Sequence, residues 1–412
     1  MPNAAYDVCV IGGGPAGSVA AARLCQLGYK TLLIEKQRHP RFHIGESLLP
    51  RSREVFETLG LMEDLESRYI RKYAARFVDA ESGRIKQYDF KDCFDSPYDY
   101  AFEVPRSDFD GLLFSHAKKL GAETRENFAV SEVLFQNGFA SGVKGAGPEG
   151  DEEIGCRFVV DATGRDSFLA NKIVGKEAIP ELPQTAMFTH YENVWRQEGL
   201  FEGNIQILLY RHGWWWFIPF KGRVTSVGTV MWKDYSRGKL GKSNEAFMDE
   251  TVANTPFAKE WLKDATRVAP VRHTADWSYR AKRLAGDGFA LVGDAGIFLD
   301  PLFSTGVHLG MKGAVLLAET LDEGFKAGDL STARFAEYES KVRKACGFFL
   351  TFVQGFYAGH FREMIVDEKQ RATIGRLIVS VLSGDVWNDQ ARWISYLPDE
   401  YRPAWAKSVA FV

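Results

Sequence analysis

Gly12, Gly14 and Gly17 stand at the spacing GxGxxG, and Glu35 follows 23 residues after Gly12. Glycines at these points serve one kind of chemistry. The first permits a tight turn, the second lets a pyrophosphate approach bare backbone, and the third lets a helix pack close to a strand. The helix that follows turns its unpaired amides and the positive end of its dipole toward the phosphates. A carboxylate at Glu35 suits ribose hydroxyls. Ala16 within the turn, and Lys36 and Arg41 just beyond the acidic residue, are assigned to the same nucleotide site. The motif alone does not separate a nicotinamide from a flavin dinucleotide.

Three other segments hold residues suited to chemistry. Asp300-Pro-Leu-Phe-Ser-Thr-Gly-Val-His308 leads into a helical run through Met311, Ala314, Leu317 and Ala318. A helix beginning near Thr305 leaves the Thr305 and Gly306 amides without intrahelical partners, at the positive end of the dipole. Trp214-Trp-Trp-Phe-Ile-Pro219 reads as a strand with Trp214 and Trp216 on one face and Trp215 on the other. Aromatic residues so placed are most often core. Lys72 sits in a short strand-like segment, Tyr69-Ile-Arg-Lys-Tyr-Ala-Ala-Arg-Phe77, with Ala74 and Arg76 on its side. Most lysines are simply solvated, but an amine partly desolvated among aromatic residues has a lowered pKa and can act as a nucleophile.

The elements that must position these residues are legible from apolar runs and glycine turns. Tyr6 to Ile11 reads as a strand, Ser18 to Leu27 as a helix stopped by Gly28, and Thr31 to Ile34 as a second strand. This is a βαβ unit. Phe158 to Gly164 and Ala290 to Asp294 are further strands returning to the same sheet, and Arg106 to Leu120 is helical. Residues 76–104 and 185–232 are β-branched and aromatic without helical period, which predicts an antiparallel sheet. From Gly306 the chain is mostly helical, with a mixed final stretch. The fold class is α/β: a GxGxxG Rossmann-like domain interleaved with an antiparallel-sheet substrate domain, and a helical C-terminal part. The expected division is 1–75, 105–180 and 280–325 for the nucleotide domain, 76–104 and 181–279 for the sheet domain, and 326–412 for the C-terminal region.

Bulk properties exclude several functions. Lys+Arg 51 against Asp+Glu 54 gives a net charge of -3, which offers no field for nucleic acid or anionic membranes. The 5 cysteines are scattered with no CxxC pair, and the 8 histidines show no ligand spacing. No metal site is expected, and a reducing compartment suits the cysteines. No run approaches the roughly 18 to 20 apolar residues that span a bilayer. The aromatic run Phe348 to Tyr357 is too short for that and reads as a core or ligand-facing helix. The first strand begins almost at once, with no basic–apolar leader pattern, so a cytoplasmic protein is expected.

Gly45-Glu46-Ser47, Arg106 at a helix start, Asp161-Ala-Thr-Gly164 and Gly293-Asp294 after a strand together decide the nucleotide. The set resembles the p-hydroxybenzoate-hydroxylase-like FAD superfamily, which implies FAD. In that superfamily an aspartate matching Asp294 reaches the ribityl chain, and Glu46, Ser47, Arg106, Pro301 and Gly306 join the flavin site.

Three pieces resemble the flavin-dependent halogenases, especially the branch acting on phenols and pyrroles. They are His43-Ile-Gly-Glu-Ser-Leu-Leu-Pro50, the WxWxIP pattern at Trp214, Trp216, Ile218 and Pro219, and Asp300 to His308. The resemblance covers about the first 345 residues. It implies a halide, chloride or bromide, at Thr305 and Gly306. It makes Trp214 and Trp216 a wall that keeps substrate from the flavin. It also makes Lys72, in a K-x-[GA]-A-x-F setting, the residue that takes up the hypohalous acid. The family's tryptophan-acting branch has a glutamate where this chain has Phe303, and no other acid is assignable to that role from sequence. That departure implies a self-activating substrate such as a phenol.

The implied cycle starts with reduced FAD from a separate flavin reductase and passes through a flavin hydroperoxide and hypohalous acid. It ends on an electron-rich aromatic, most plainly a phenol, either free or tethered to an acyl or peptidyl carrier protein. An FAD-dependent monooxygenase or a prenyl-type reductase on the same fold is the alternative.

Overall fold

In the computed structural model, residues 4–387 are described apart from residues 95, 180, 181, 183, 238–241, 276 and 368. Along the chain, β1 (Tyr6–Ile11), α1 (Pro15–Gln26) and β2 (Thr31–Ile34) form the first βαβ unit. Among the short strands that follow are β3 (Ile70–Lys72), β4 (Ala74–Asp79) and β5 (Ala101–Glu103), and then comes α2 (Arg106–Lys119). The long strand β6 (Gly150–Asp161) returns to β1. Four strands then run in succession: β7 (Gln184–Glu192), β8 (Ile205–Tyr210), β9 (Gly213–Pro219) and β10 (Val224–Trp232). β11 (Phe289–Leu291), α3 (Thr305–Ala327), α4 (Ala336–Tyr357) and α5 (Ala372–Leu382) complete the frame around the site.

The nucleotide-binding sheet contains the parallel run β11-β6-β1-β2. Val8 pairs with Phe158 and Thr31, and Ile11 with Asp161 and Ile34. Val8, Val10, Leu32, Leu33, Val159 and Val160 are wholly buried, as strands covered on both faces require. α1 lies against α2 and α3. It begins at Pro15 rather than at Ser18, because a proline's fixed φ and missing N–H are tolerated in a helix's first turn.

The second sheet contains the run β7-β10-β9-β8-β4. It is not antiparallel throughout: β4 pairs with β8 in parallel, Ala75 against Ile205 and Phe77 against Ile207. Sequence alternation shows that a strand has two faces but not the direction of its neighbour, and β4 arrives here from the nucleotide-binding side. Period-two alternation along β9 divides the indoles as expected. Trp214 and Trp216 face the main core, while Trp215 and Phe217 join a second cluster with Met187, Val227 and Trp261.

A small ribbon joins the two sheets. β3 pairs with β5, and Ser47 bridges to Glu103 on the other side of β5. The chain breaks its strand at Tyr73, where the Asn204 side chain accepts from the Tyr73 and Ala74 amides, both at 2.9 Å. The run from Phe348 to Phe356 lies in α4 with Phe348, Phe349, Phe352 and Phe356 buried, so the core reading is the correct one. Among the described residues no helix is long and apolar enough to cross a membrane. Residues 388–412 of the expected C-terminal region lie outside the described residues.

Candidate functional site

Of the three motif glycines after β1, two are crowded and one is open. A Cβ on Gly12 would lie 2.2 Å from the Ala162 carbonyl oxygen, and one on Gly17 would lie 1.9 Å from that of Gly12. A Cβ on Gly14 would meet only Arg41 Nη2, at 3.6 Å. Gly14 caps α1 without a side-chain hydrogen bond, so no cap occupies the first amides. This is a cradle that a side chain would fill, and it fits a dinucleotide pyrophosphate.

Behind the cradle the charged residues hold one another. Buried Glu35 accepts from the Gly13 amide at 2.9 Å and from the Gln37 amide at 2.9 Å. Arg41 reaches from Glu35 Oε2 at 3.4 Å to Asp110 Oδ2 at 3.1 Å. Arg106 grips both Asp110 oxygens, at 2.6 and 3.0 Å, and donates to the Ile44 carbonyl at 2.6 Å. Burial opposes charge on Asp110, yet Arg106 and Arg41 hold its carboxyl below the usual range. Arg106 therefore fastens the loop carrying Glu46 and Ser47. Lys36 stands at the cavity's rim in an exposed ion pair with Asp166.

A continuous cavity of about 550 Å³ runs from Gly12, Gly14 and Ala16, past Glu46, Ser47 and Asp294, to Pro301, Thr305 and Gly306. Trp214 and Trp216 form part of its wall. Their orientation is fixed: Trp214 Nε1 donates to Tyr357 Oη at 2.9 Å, and Trp216 Nε1 to Ser226 Oγ at 3.1 Å. Gly228 on β10 is required beneath Trp216, since a Cβ there would come within 2.2 Å of the indole. Burial raises the Asp294 carboxyl to about 6. Glu46 Oε1 lies 3.0 Å from His190 Nε2, which ties the loop to β7.

The start of α3 turns on Ser304, whose φ of 56 and ψ of 33 are left-handed and uncommon for a residue with a side chain. Asp300 fixes the approach by accepting from the Leu302 amide at 2.9 Å. Its carboxyl also receives the Tyr357 hydroxyl, 3.1 Å from Oδ1, so Trp214, Tyr357 and Asp300 form one buried chain. Burial raises Asp300 to about 7, against the pull of the Leu302 amide and the Tyr357 hydroxyl. His308 secures the first turn of α3 by accepting from Trp387 Nε1 at 3.0 Å while its Nδ1 meets Ser52 Oγ at 3.1 Å. Burial lowers its pKa to about 3, so the ring is neutral. Phe303 is buried edge-on to Phe352.

Lys72 is more enclosed than the sequence suggests. It is 2% exposed and does not itself line the cavity. Its Nζ donates to Ser47 Oγ at 2.7 Å, lies 5.4 Å from the Phe90 ring centre and is 4.0 Å from Glu103 Oε1. Ser47 does line the cavity, so the amine is one hydrogen bond removed from it. Burial lowers the Lys72 pKa, against the opposing influence of Glu103. Burial likewise raises Glu103 to about 8, against the pull of Lys72 and the Ser47 hydroxyl.

Sequence reasoning missed Glu103, Tyr357 and His190. Glu103 immediately precedes the Val-Pro-Arg stretch ending at Arg106, and a carboxylate within the apolar strand Ala-Phe-Glu is itself a signal. Tyr357 carries no such signal, because its partners lie more than fifty residues away in the chain.

The FAD-binding-domain family matches residues 5–347. A 1H-pyrrole-2-carbonyl-[peptidyl-carrier protein] chlorinase of Pseudomonas fluorescens is 31% identical over 94% of this chain and 91% of its own length. The flavin-dependent brominase Bmp2 superposes with a TM-score of 0.85 at 28% identity, covering 93% of this chain and 95% of that one. A flavoprotein/dehydrogenase from Cytophaga hutchinsonii gives a TM-score of 0.87 at 30% identity, covering 93% and 94%.

Proposed function

We propose, for a chain that belongs to the FAD-binding-domain family and within it to the flavin-dependent halogenases, that the buried amine of Lys72 delivers the halogen. The acceptor is an electron-rich aromatic ring. Bound and reduced by a separate flavin reductase, FAD supplies with dioxygen and chloride or bromide the hypohalous acid that the protein then directs. Gly12, Gly14, Ala16, Gly17, Glu35, Lys36, Arg41, Glu46, Ser47, Arg106, Asp294, Pro301 and Gly306 hold the cofactor. Thr305 and Gly306 offer the halide their amides at the start of α3, where the helix dipole is positive. Trp214 and Trp216 occupy the space through which an aromatic would otherwise reach the flavin. Ser47 stands between the cavity and Lys72 and passes the hypohalous acid to the amine.

The observation that carries this reading is the single cavity joining the nucleotide cradle to the start of α3 along the Trp214 and Trp216 wall. The domain division is part of the same proposal. The nucleotide part is 1–75, 105–180 and 280–325, the substrate sheet 76–104 and 181–279, and the C-terminal region from 326. The likeness to the pyrrole-2-carbonyl-[peptidyl-carrier protein] chlorinase supports an aromatic substrate presented on a carrier protein.

The test is mass spectrometry of product from protein, FAD, flavin reductase, NADH and bromide. A phenol panel is offered alongside pyrrole-2-carbonyl loaded on a peptidyl carrier domain. A bromine isotope doublet is expected, strongest on the carrier-bound pyrrole. Hydroxylated or reduced products without halogen at any halide concentration would overturn the reading.

A further inference from the structure

The ribbon of Ser47, β3 and β5 sets three side chains against one another by register. Ser47 bridges directly to Glu103, and Lys72 is opposite Ala101, two residues before Glu103 on the same face. The result is an ammonium-or-amine and a carboxyl-or-carboxylate 4.0 Å apart, 2% and 0% exposed. Neither Glu103 oxygen has a hydrogen-bond partner of normal geometry. A buried carboxylate left without donors is costly, and so is a buried ammonium held by the Ser47 hydroxyl. The neutral pair, amine and carboxylic acid, has neither defect. The charged groups around it do not change that balance: Glu46, on the cavity side, disfavours a second negative charge and is itself engaged by His190.

We propose that Glu103 is the proton partner of Lys72: it holds a proton off the amine while the halogen is captured and returns it as the halogen leaves. The proposal rests on Lys72 being the halogen carrier. In the first step the free amine attacks the halogen of HOX. The N–X bond forms, the O–X bond breaks, and the departing hydroxide leaves as water with a proton from the amine nitrogen. Glu103 stays protonated throughout. In the second step the aromatic ring attacks X, and the N–X electron pair returns to nitrogen. Glu103 protonates that nitrogen, and its carboxylate finally recovers the proton that the substituted ring loses. No external acid, base or oxidant is needed beyond HOX. A single buried proton thus serves both halves of the transfer, which requires its two sites to be close in affinity.

Glu103→Gln keeps the shape and removes the transferable proton. With FAD, flavin reductase, NADH and chloride, capture should proceed and release should stall. Product per oxygen consumed should fall about 10-fold or more. Intact-mass and peptide analysis should find chlorine replacing one hydrogen on Lys72, discharged by added thiol. The wild type should not accumulate this adduct, and Lys72→Ala should lack it entirely. Glu103→Asp should recover part of the transfer, and the wild-type ratio of product to oxygen should decline as pH rises through about 8, where Glu103 loses its proton. Wild-type product yield in Glu103→Gln with no trapped chlorine overturns the proposal while leaving Lys72 as carrier intact. Full activity in Lys72→Ala instead overturns the reading beneath it. Should Glu103→Gln fail to bind FAD, a wild-type ratio unchanged between pH 6 and 9 is the overturning result.

Discussion

The nucleotide cradle and the transfer pocket are built on opposite plans. In the cradle, Gly12, Gly13, Gly14, Gly17 and Glu35 lie within a few dozen residues, on one βαβ unit. Backbone conformation does most of the work there. In the transfer pocket, Ser47, Lys72, Glu103, Trp214, Asp300 and Tyr357 come from six segments, and contacts between side chains set the geometry. A local design tolerates change around it but not within it. A dispersed design distributes its precision among partners, so each partner can be tested by removing one atom group.

The largest effect is expected where the local plan is sharpest. Gly14 has φ -77 and ψ -175, which any residue adopts, and its Cβ would make only an ordinary contact with Arg41. Gly14→Val should therefore fold with an apo melting temperature within a few °C of wild type, yet bind no measurable FAD by absorbance titration. A variant that binds FAD normally would show that the cradle is placed wrongly. Gly12→Val and Gly17→Val should lose the fold itself, because their contacts are with backbone.

On the dispersed side, Lys72→Ala should consume oxygen normally while halogenated product falls on the order of 100-fold or more. Lys72→Arg should do little better, since a guanidinium stays protonated and offers no free amine. Liquid chromatography of product beside an oxygen electrode reads both. Undiminished product would make the transfer pocket a structural core and erase the contrast.

The next effect is one of pH. The folded Asp300 carboxyl titrates at about 7, well above an ordinary aspartate. Its proton is bound more tightly in the folded chain, so the stability it contributes is full below about pH 4 and is lost as pH rises through 7. Apo-protein stability should decline from pH 5 to 8 by at most a few kcal/mol from this source. Denaturant melts of Asp300→Asn, which keeps the acceptor for the Leu302 amide, should show a flatter slope. An unchanged slope would move the titration elsewhere. The smallest change is Tyr357→Phe, which leaves Trp214 Nε1 and Asp300 short of a partner and should cost about 1–3 kcal/mol. Product per oxygen should fall with it if the Trp wall depends on this bond.

How much was legible in the sequence follows the same division. The βαβ unit, the cavity-lining residues of the cradle, the split of Trp214 and Trp216 from Trp215, and the start of α3 at Thr305 all rest on short-range rules of turn, period and cap. Lys72 was legible as a residue but not in its setting. The sequence shows Ala74 and Arg76 continuing its strand, whereas Asn204 breaks the strand at Tyr73 and turns Lys72 onto Glu103 and Ser47. The parallel pairing of β4 with β8 and the Trp214–Tyr357–Asp300 chain depend on register between remote segments, which no local pattern encodes.

The strand order β11-β6-β1-β2 has a further consequence for how the protein is made. On the ribosome β1 and β2 emerge first, but β1 is an interior strand whose other neighbour, β6, is translated only after the ribbon and α2 have appeared. β11 closes that flank later still, once the whole second sheet has been synthesised. The nascent chain therefore carries an open, largely apolar strand edge at Val8–Ile11 and then at Phe158–Val160 through most of its synthesis, the condition under which mispairing with a neighbouring chain is favoured. Heterologous production should depend on chaperone supply and slow translation up to Leu291, and neither sheet should be obtainable as an isolated fragment.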